Sequence, residues 1–164
     1  MSEQMKADFE GVNSSQRLGN NTADILQNFG FALVSFFGRS MYPMLRYETD
    51  KVLIEQVKRP LRKYDIVLYP DERGKFVLHR IIKINNGKYI IRGDNNLFYE
   101  YGITDSKIIG VLKGFYRGKK YIDCETNKGY KLYVFVITHT FAFRYLWVKH
   151  LRPFASKIKH TLFK

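Results

Sequence analysis

Phe76-Val77-Leu78-His79-Arg80-Ile81-Ile82-Lys83-Ile84-Asn85-Asn86-Gly87-Lys88-Tyr89-Ile90-Ile91-Arg92 contains two apolar, β-branched runs joined by Asn-Gly. Asn-Gly accepts the positive φ angles that a two-residue hairpin turn demands. The runs at 75–84 and 88–92 therefore read as paired strands. A period of two puts Val77, His79 and Ile81 on one face of the first strand and Leu78, Arg80 and Ile82 on the other. His79 is then expected to point into a cleft with apolar walls, and Arg80 away from it.

Working outward, the runs at 31–37, 51–57, 65–69 and 107–113 read as further strands, and 114–122 as a hairpin turning near Arg117-Gly118. Pro60 with Arg62-Lys63, Pro70 to Gly74, and Gly93-Asp94-Asn95-Asn96 mark the connections. Short strands at even spacing predict a mainly β domain, barrel-like or coiled, over 22–130. Ahead of it, Thr22 can cap a short helix at 23–28 that Gly30 ends. Residues 1–21 are polar, rich in Asn, Ser and Gln, and are expected to be a flexible N-terminus. Behind it, Trp147, Leu151, Phe154, Ile158 and Leu162 recur at spacings of 4, 3, 4 and 4, one face of a helix that Pro153 must kink or divide. Residues 131–164 thus read as a basic amphipathic C-terminal tail.

Composition narrows the function classes. With 45% hydrophobic and 16% aromatic residues the chain is not of disordered type. Cys124 is the only cysteine, which excludes an intrachain disulfide and a thiolate metal site and fits a reducing compartment. No charged-then-apolar leader precedes residue 25, and no run reaches the roughly 18–20 apolar residues of a spanning helix, so a cytoplasmic protein without a membrane anchor is expected. The net charge is +13, and residues 131–164 carry seven bases and no acid. That balance favours anionic partners, whether lipid, nucleic acid or acidic peptide. It equally suits a basic face left in water.

The chemistry centres on Gly38-Arg39-Ser40-Met41-Tyr42-Pro43-Met44-Leu45, where a serine follows an apolar strand, with glycine two residues before it and proline three after. A serine hydroxyl needs a base for its proton and donors for the oxyanion it creates. His79, 39 residues on, can take and return a proton near neutral pH. His139, His150 and His160 lie in the basic tail, outside the strand-rich part. No second histidine or cysteine stands at ligand spacing from His79, so neither metal nor cofactor is expected. Glu100 or Asp105 could orient an imidazole or could be plain surface acids, and Asp94 by itself fits an ordinary Asx-type turn.

Taken in order, Ser40-Met41-Tyr42-Pro43, Asp65-Ile66-Val67, Leu78-His79-Arg80-Ile81 and Arg92-Gly93-Asp94-Asn95-Asn96 resemble the box set of the S24/S26 serine peptidases, which include signal peptidases and LexA-type self-cleaving repressors. The resemblance covers roughly residues 31–113. Histidine followed by arginine in the second box resembles the archaeal, endoplasmic-reticulum and sporulation-type branch; the bacterial signal peptidases and the repressors have lysine there. The resemblance implies a signal peptidase/LexA-like coiled β-barrel-type fold, Ser40 as nucleophile and His79 as base. In that branch the third catalytic acid lies in an Asp-Asp pair shortly after Gly-Asp-Asn-Asn, a pair that falls here on Tyr99 and Glu100. Glu100 is the carried-over acid, with Asp94 as the alternative and more at home as a structural loop residue.

A serine endopeptidase acting on an extended peptide or protein substrate is therefore expected, with the main-chain N–H groups of Ser40 and Met41 holding the oxyanion. Family substrates bind as an added β-strand. The short run before Ser40 stands where membrane signal peptidases carry a spanning helix, so the chain resembles a soluble, stand-alone member. Residues 1–30 are too short for the repressors' DNA-binding domain. The rival reading is a peptidase-fold binding module with weak or no catalysis, and the tail could add peripheral contact with an anionic membrane or with nucleic acid.

Overall fold

A computed structural model describes residues 20–146. Helix α1 (Asn20–Phe29) leads into β1 (Phe31–Ser35), and β2 (Asp50–Glu55), β3 (Ile66–Pro70), β4 (Phe76–Asn85), β5 (Lys88–Arg92) and β6 (Glu100–Thr104) follow. After a 3-10 turn come β7 (Gly110–Arg117), β8 (Lys120–Asp123), α2 (Lys128–His139) and α3 (Phe141–Leu146). All strand pairs are antiparallel, in the order β1-β2-β7-β3-β4-β5-β6, with β8 added beside β7.

The sheet forks at β7. One edge of this strand pairs with β2 along its length; on the other, Gly110 and Val111 meet β3 while 114–117 meet β8. Register breaks at Leu53/Ile54, Ile81/Lys83 and Tyr89/Ile91 add twist, and the sheet curls. β3 is buried on both faces, which is why Ile66-Val67-Leu68-Tyr69 reads as a continuous apolar run. Its alternate residues feed two cores. Ile66 and Leu68 join Leu78, Val34, Met41 and Leu45 on one side; Val67 and Tyr69 join Ile81, Ile91 and Val111 on the other.

Ser40 owes its position to this packing. Met41 and Leu45, on either side of the cis Tyr42–Pro43 bond, are fully buried in the first core. Burying a leucine or methionine stabilises by roughly 1.5–3 kcal/mol, enough to pin a turn that has no strand partner. The Asn86-Gly87 turn takes positive φ at both residues, 47° and 71°, as its sequence requires.

Several boundaries differ from the sequence reading. Thr22 is buried inside α1 and does not cap it, because the helix begins two residues earlier and Leu26 carries it into the core. Gly30 ends it as expected, at φ 78° with its N–H on the Leu26 carbonyl at 2.9 Å. β6 was not expected: Gly102, at φ 73°, interrupts a short strand exposed on one side. α2 opens at Lys128, ahead of the tail boundary expected at 131, with Asn127 as N-cap accepting from the Tyr130 N–H at 2.9 Å. Its Val134 and Ile137 are buried, and Tyr130 and Tyr133 pack on the first core. The apolar stripe from Trp147 to Leu162, and most of the N-terminus expected to be flexible, lie outside the described residues. Among the described residues no helix is long and apolar enough to cross a membrane.

Candidate active site

His79 faces the second core, as the alternation predicts, and is buried on β4 against Val67 of β3. Glu100, the first residue of β6, pairs across the ladder with Ile91 and brings its carboxylate to the imidazole. Glu100 Oε1 lies 2.6 Å from His79 Nδ1. A third group, Tyr69 of β3, completes the cluster: its hydroxyl donates to Glu100 Oε2 at 2.6 Å and sits 2.9 Å from His79 Nδ1.

These distances assign the proton. A bare Nδ1 lone pair could not sit 2.6 Å from a carboxylate oxygen. With the phenol proton directed to Oε2, the phenol oxygen is also left as an acceptor. Nδ1 is therefore assigned the hydrogen, and in the neutral ring the lone pair lies on Nε2, the atom that can act as base. Burial pushes the Glu100 carboxyl upward, but the hydrogen bonds from His79 and Tyr69 outweigh it and hold the group below its ordinary range. Glu100 is a carboxylate at neutral pH. Burial, helped by the neighbouring Glu100, raises the Tyr69 phenol far above its usual value, so it stays a neutral donor.

The serine turn is tied to the loop after β5. Extending the Arg80↔Arg92 register by one residue sets His79 opposite Gly93. Gly93 lies against the serine turn, where a Cβ would come within 2.7 Å of the Ser40 carbonyl oxygen. The same carbonyl accepts from the Asn95 N–H at 2.7 Å, and Asn95 Nδ2 donates to the Arg39 carbonyl at 3.1 Å. Ser40 Oγ forms no hydrogen bond among the described residues, nor do the main-chain N–H groups of Ser40 and Met41.

Asp94 sits elsewhere. It forms a fully buried bidentate pair with Arg80, Nε to Oδ1 at 2.8 Å and Nη2 to Oδ2 at 2.7 Å, on the strand face opposite His79. The Tyr133 hydroxyl adds a bond to Oδ2, and Arg144 of α3 donates to the Asp94 carbonyl. Arg80 also donates to the Tyr64 carbonyl and the Tyr130 hydroxyl, and its Nη2 touches Met44 Sδ. Burial alone would lower the Arg80 pKa, but Asp94 raises it, so the guanidinium stays charged. Arg80 does point away from His79, but into the first core and not into water. Met41 Sδ accepts from the Asp94 N–H at 3.4 Å, which ties the serine turn to this pair.

Asp65 closes the β2–β3 loop by accepting both terminal nitrogens of Arg59, at 2.7 and 3.0 Å. Asp105 accepts from the Tyr89 hydroxyl at 2.6 Å, and His139 stacks on Phe135, so neither is a partner of His79. His150 and His160 lie outside the described residues. Among the described residues no three His, Cys, Asp or Glu side chains converge as a metal site. The sequence reading missed Tyr69, although the alternation that puts Val67 and Tyr69 on the His79 side of β3 could have flagged it.

No protein-family model matches the chain, and no curated protein matches it.

Proposed function

We propose that the chain is a serine endopeptidase of the Ser-His kind, with the coiled fold of S24/S26 peptidases and an extended peptide or protein segment as substrate. The observation that carries this reading is a buried histidine whose Nδ1–H is held by a carboxylate at 2.6 Å, on a strand whose register runs on toward Gly93, the residue that lies against the Ser40 carbonyl. Ser40 Oγ attacks the peptide carbonyl carbon while His79 Nε2 takes its proton. The N–H groups of Ser40 and Met41 receive the oxyanion. The tetrahedral adduct collapses as Nε2–H protonates the leaving amine, and an acyl ester remains on Ser40. Water, deprotonated by His79, then releases the acid and restores the serine. Glu100 keeps the imidazole in its productive tautomer and stabilises the imidazolium between these steps. The lone Cys124 suits a cytoplasmic setting. Incubating the purified chain with a diverse peptide library tests the reading: cleavage by wild type and none by Ser40→Ala is expected. Equal cleavage by both overturns it.

The unbonded Ser40 hydroxyl favours, as a second reading, a binding module with little turnover. A further observation concerns partners. α2 is apolar on both sides: Leu132, Phe135 and Val136 stand exposed, opposite the buried Val134 and Ile137, and Phe143 and Leu146 of α3 are exposed as well. No acid follows Glu125. An exposed apolar face within an acid-free basic segment fits peripheral docking on an anionic bilayer. Sedimentation with phosphatidylserine vesicles should fall sharply for Leu132→Asp/Phe135→Asp. Undiminished sedimentation, or equal binding to neutral vesicles, contradicts it.

A further inference from the structure

We infer that Tyr69 is a positioning residue of the site, acting on His79 through Glu100. The inference rests on the peptidase reading for its consequence in rate, though not for its geometry. Tyr69 is fully buried on β3 among Val67, Ile81, Ile91 and Val111, where a phenylalanine would fill the same space. A hydroxyl buried without a partner is costly, and among the described residues the partners this one has are Glu100 Oε2 at 2.6 Å and His79 Nδ1 at 2.9 Å.

Glu100 needs such a hold. Its side chain is 36% exposed, against 7% for His79, and it opens β6, the strand that ends the sheet. Next to it stand the exposed Tyr101 and the left-handed Gly102. A carboxylate on two methylenes at a sheet edge has several accessible rotamers, and a single one of them must be selected to meet Nδ1. The phenol occupies Oε2, which leaves Oε1 facing Nδ1. The Tyr69 ring also meets the imidazole edge-on, with centroids 6.0 Å apart, and so limits the tilt of the His79 ring. Three strands, β3, β4 and β6, thus fix the imidazole from three directions. Because the phenol stays neutral, the donor is present throughout the working pH range.

The test combines a double-mutant cycle with a measurement that needs no turnover. Tyr69→Phe should slow phosphonylation of Ser40 by a fluorophosphonate probe, in which fluoride leaves phosphorus, about tenfold, and in the Glu100→Ala background the same change should alter the rate less than about twofold. By 15N NMR the Nδ1–H form of His79 should dominate in wild type and give way to a mixture in Tyr69→Phe. Leu68→Ala, a packing change on the same strand but in the other core, should lower the melting temperature and leave the tautomer untouched. A wild-type labelling rate and tautomer in Tyr69→Phe overturn the inference, as do equal losses in both backgrounds. A wild-type Ser40 that is never labelled defeats the peptidase reading instead, and the tautomer of His79 in Tyr69→Phe still decides the role of Tyr69.

Discussion

Arg80 and Asp94 form a bidentate ion pair with side chains 0% and 1% exposed, on the strand face opposite His79. Two acids that the sequence leaves as competitors for one role are thereby given different work. Asp94 holds the loop under Ser40, and Glu100 holds the imidazole.

The two acids should separate by measurement. Asp94→Ala strands a buried guanidinium, a change that costs about 3–5 kcal/mol, and should appear as a large fall in melting temperature. Glu100→Ala leaves the buried Tyr69 hydroxyl and His79 Nδ1 with one partner fewer and should cost about 1–3 kcal/mol, less than Asp94→Ala. It should lower the rate of Ser40 labelling by a fluorophosphonate far more than that smaller loss of stability explains. Chemical denaturation and labelling kinetics on both variants check the division.

Gly93→Ala should damage the site without touching its polar groups. The new Cβ would meet the Ser40 carbonyl at 2.7 Å and Asn96 Nδ2 at 2.9 Å, so the serine turn must shift. A displacement near 1 Å can cost about a hundredfold in rate. The expected result is such a loss in the rate of Ser40 labelling by a fluorophosphonate, with the His79 tautomer seen by NMR unchanged.

Acid should weaken the Tyr69–Glu100–His79 cluster in a defined direction. The folded Glu100 carboxyl titrates below its ordinary value, so its contribution to stability is fully present above the unfolded carboxyl range and is lost as pH falls through the depressed folded value. The difference in unfolding free energy between wild type and Glu100→Gln should be level near neutral pH and shrink toward acid. A difference that grows on acidification would contradict the assignment.

Much of the sheet is legible in the sequence because its signals are local. Asn86-Gly87 sets one hairpin, and the double-sided burial of Ile66 to Tyr69 writes an unbroken apolar run. α2 was expected only as part of a helical tail from 131, and its own start was missed because Leu132-Tyr133-Val134-Phe135-Val136-Ile137 is apolar on all sides and rich in β-branched and aromatic residues, so no helical period stands out. β6 escaped because Gly102 breaks its alternation. In the site, alternation gave the directions of His79 and Arg80 but not what either meets. That Arg80 enters a core, and that Tyr69 bridges Glu100 and His79, depends on strands distant in sequence.

The central claim is that Ser40 is a nucleophile activated by His79. Intact-protein and peptide mass spectrometry after treatment with a fluorophosphonate tests it most directly. Burial pushes the Cys124 thiol up to about 12, so that residue stays protonated and does not compete for the probe. One covalent adduct per chain on Ser40 is expected in wild type, none in Ser40→Ala, and a rate reduced at least about a hundredfold in His79→Ala. Labelling of Ser40 at the same rate with and without His79, or no adduct on folded wild-type protein, would contradict it.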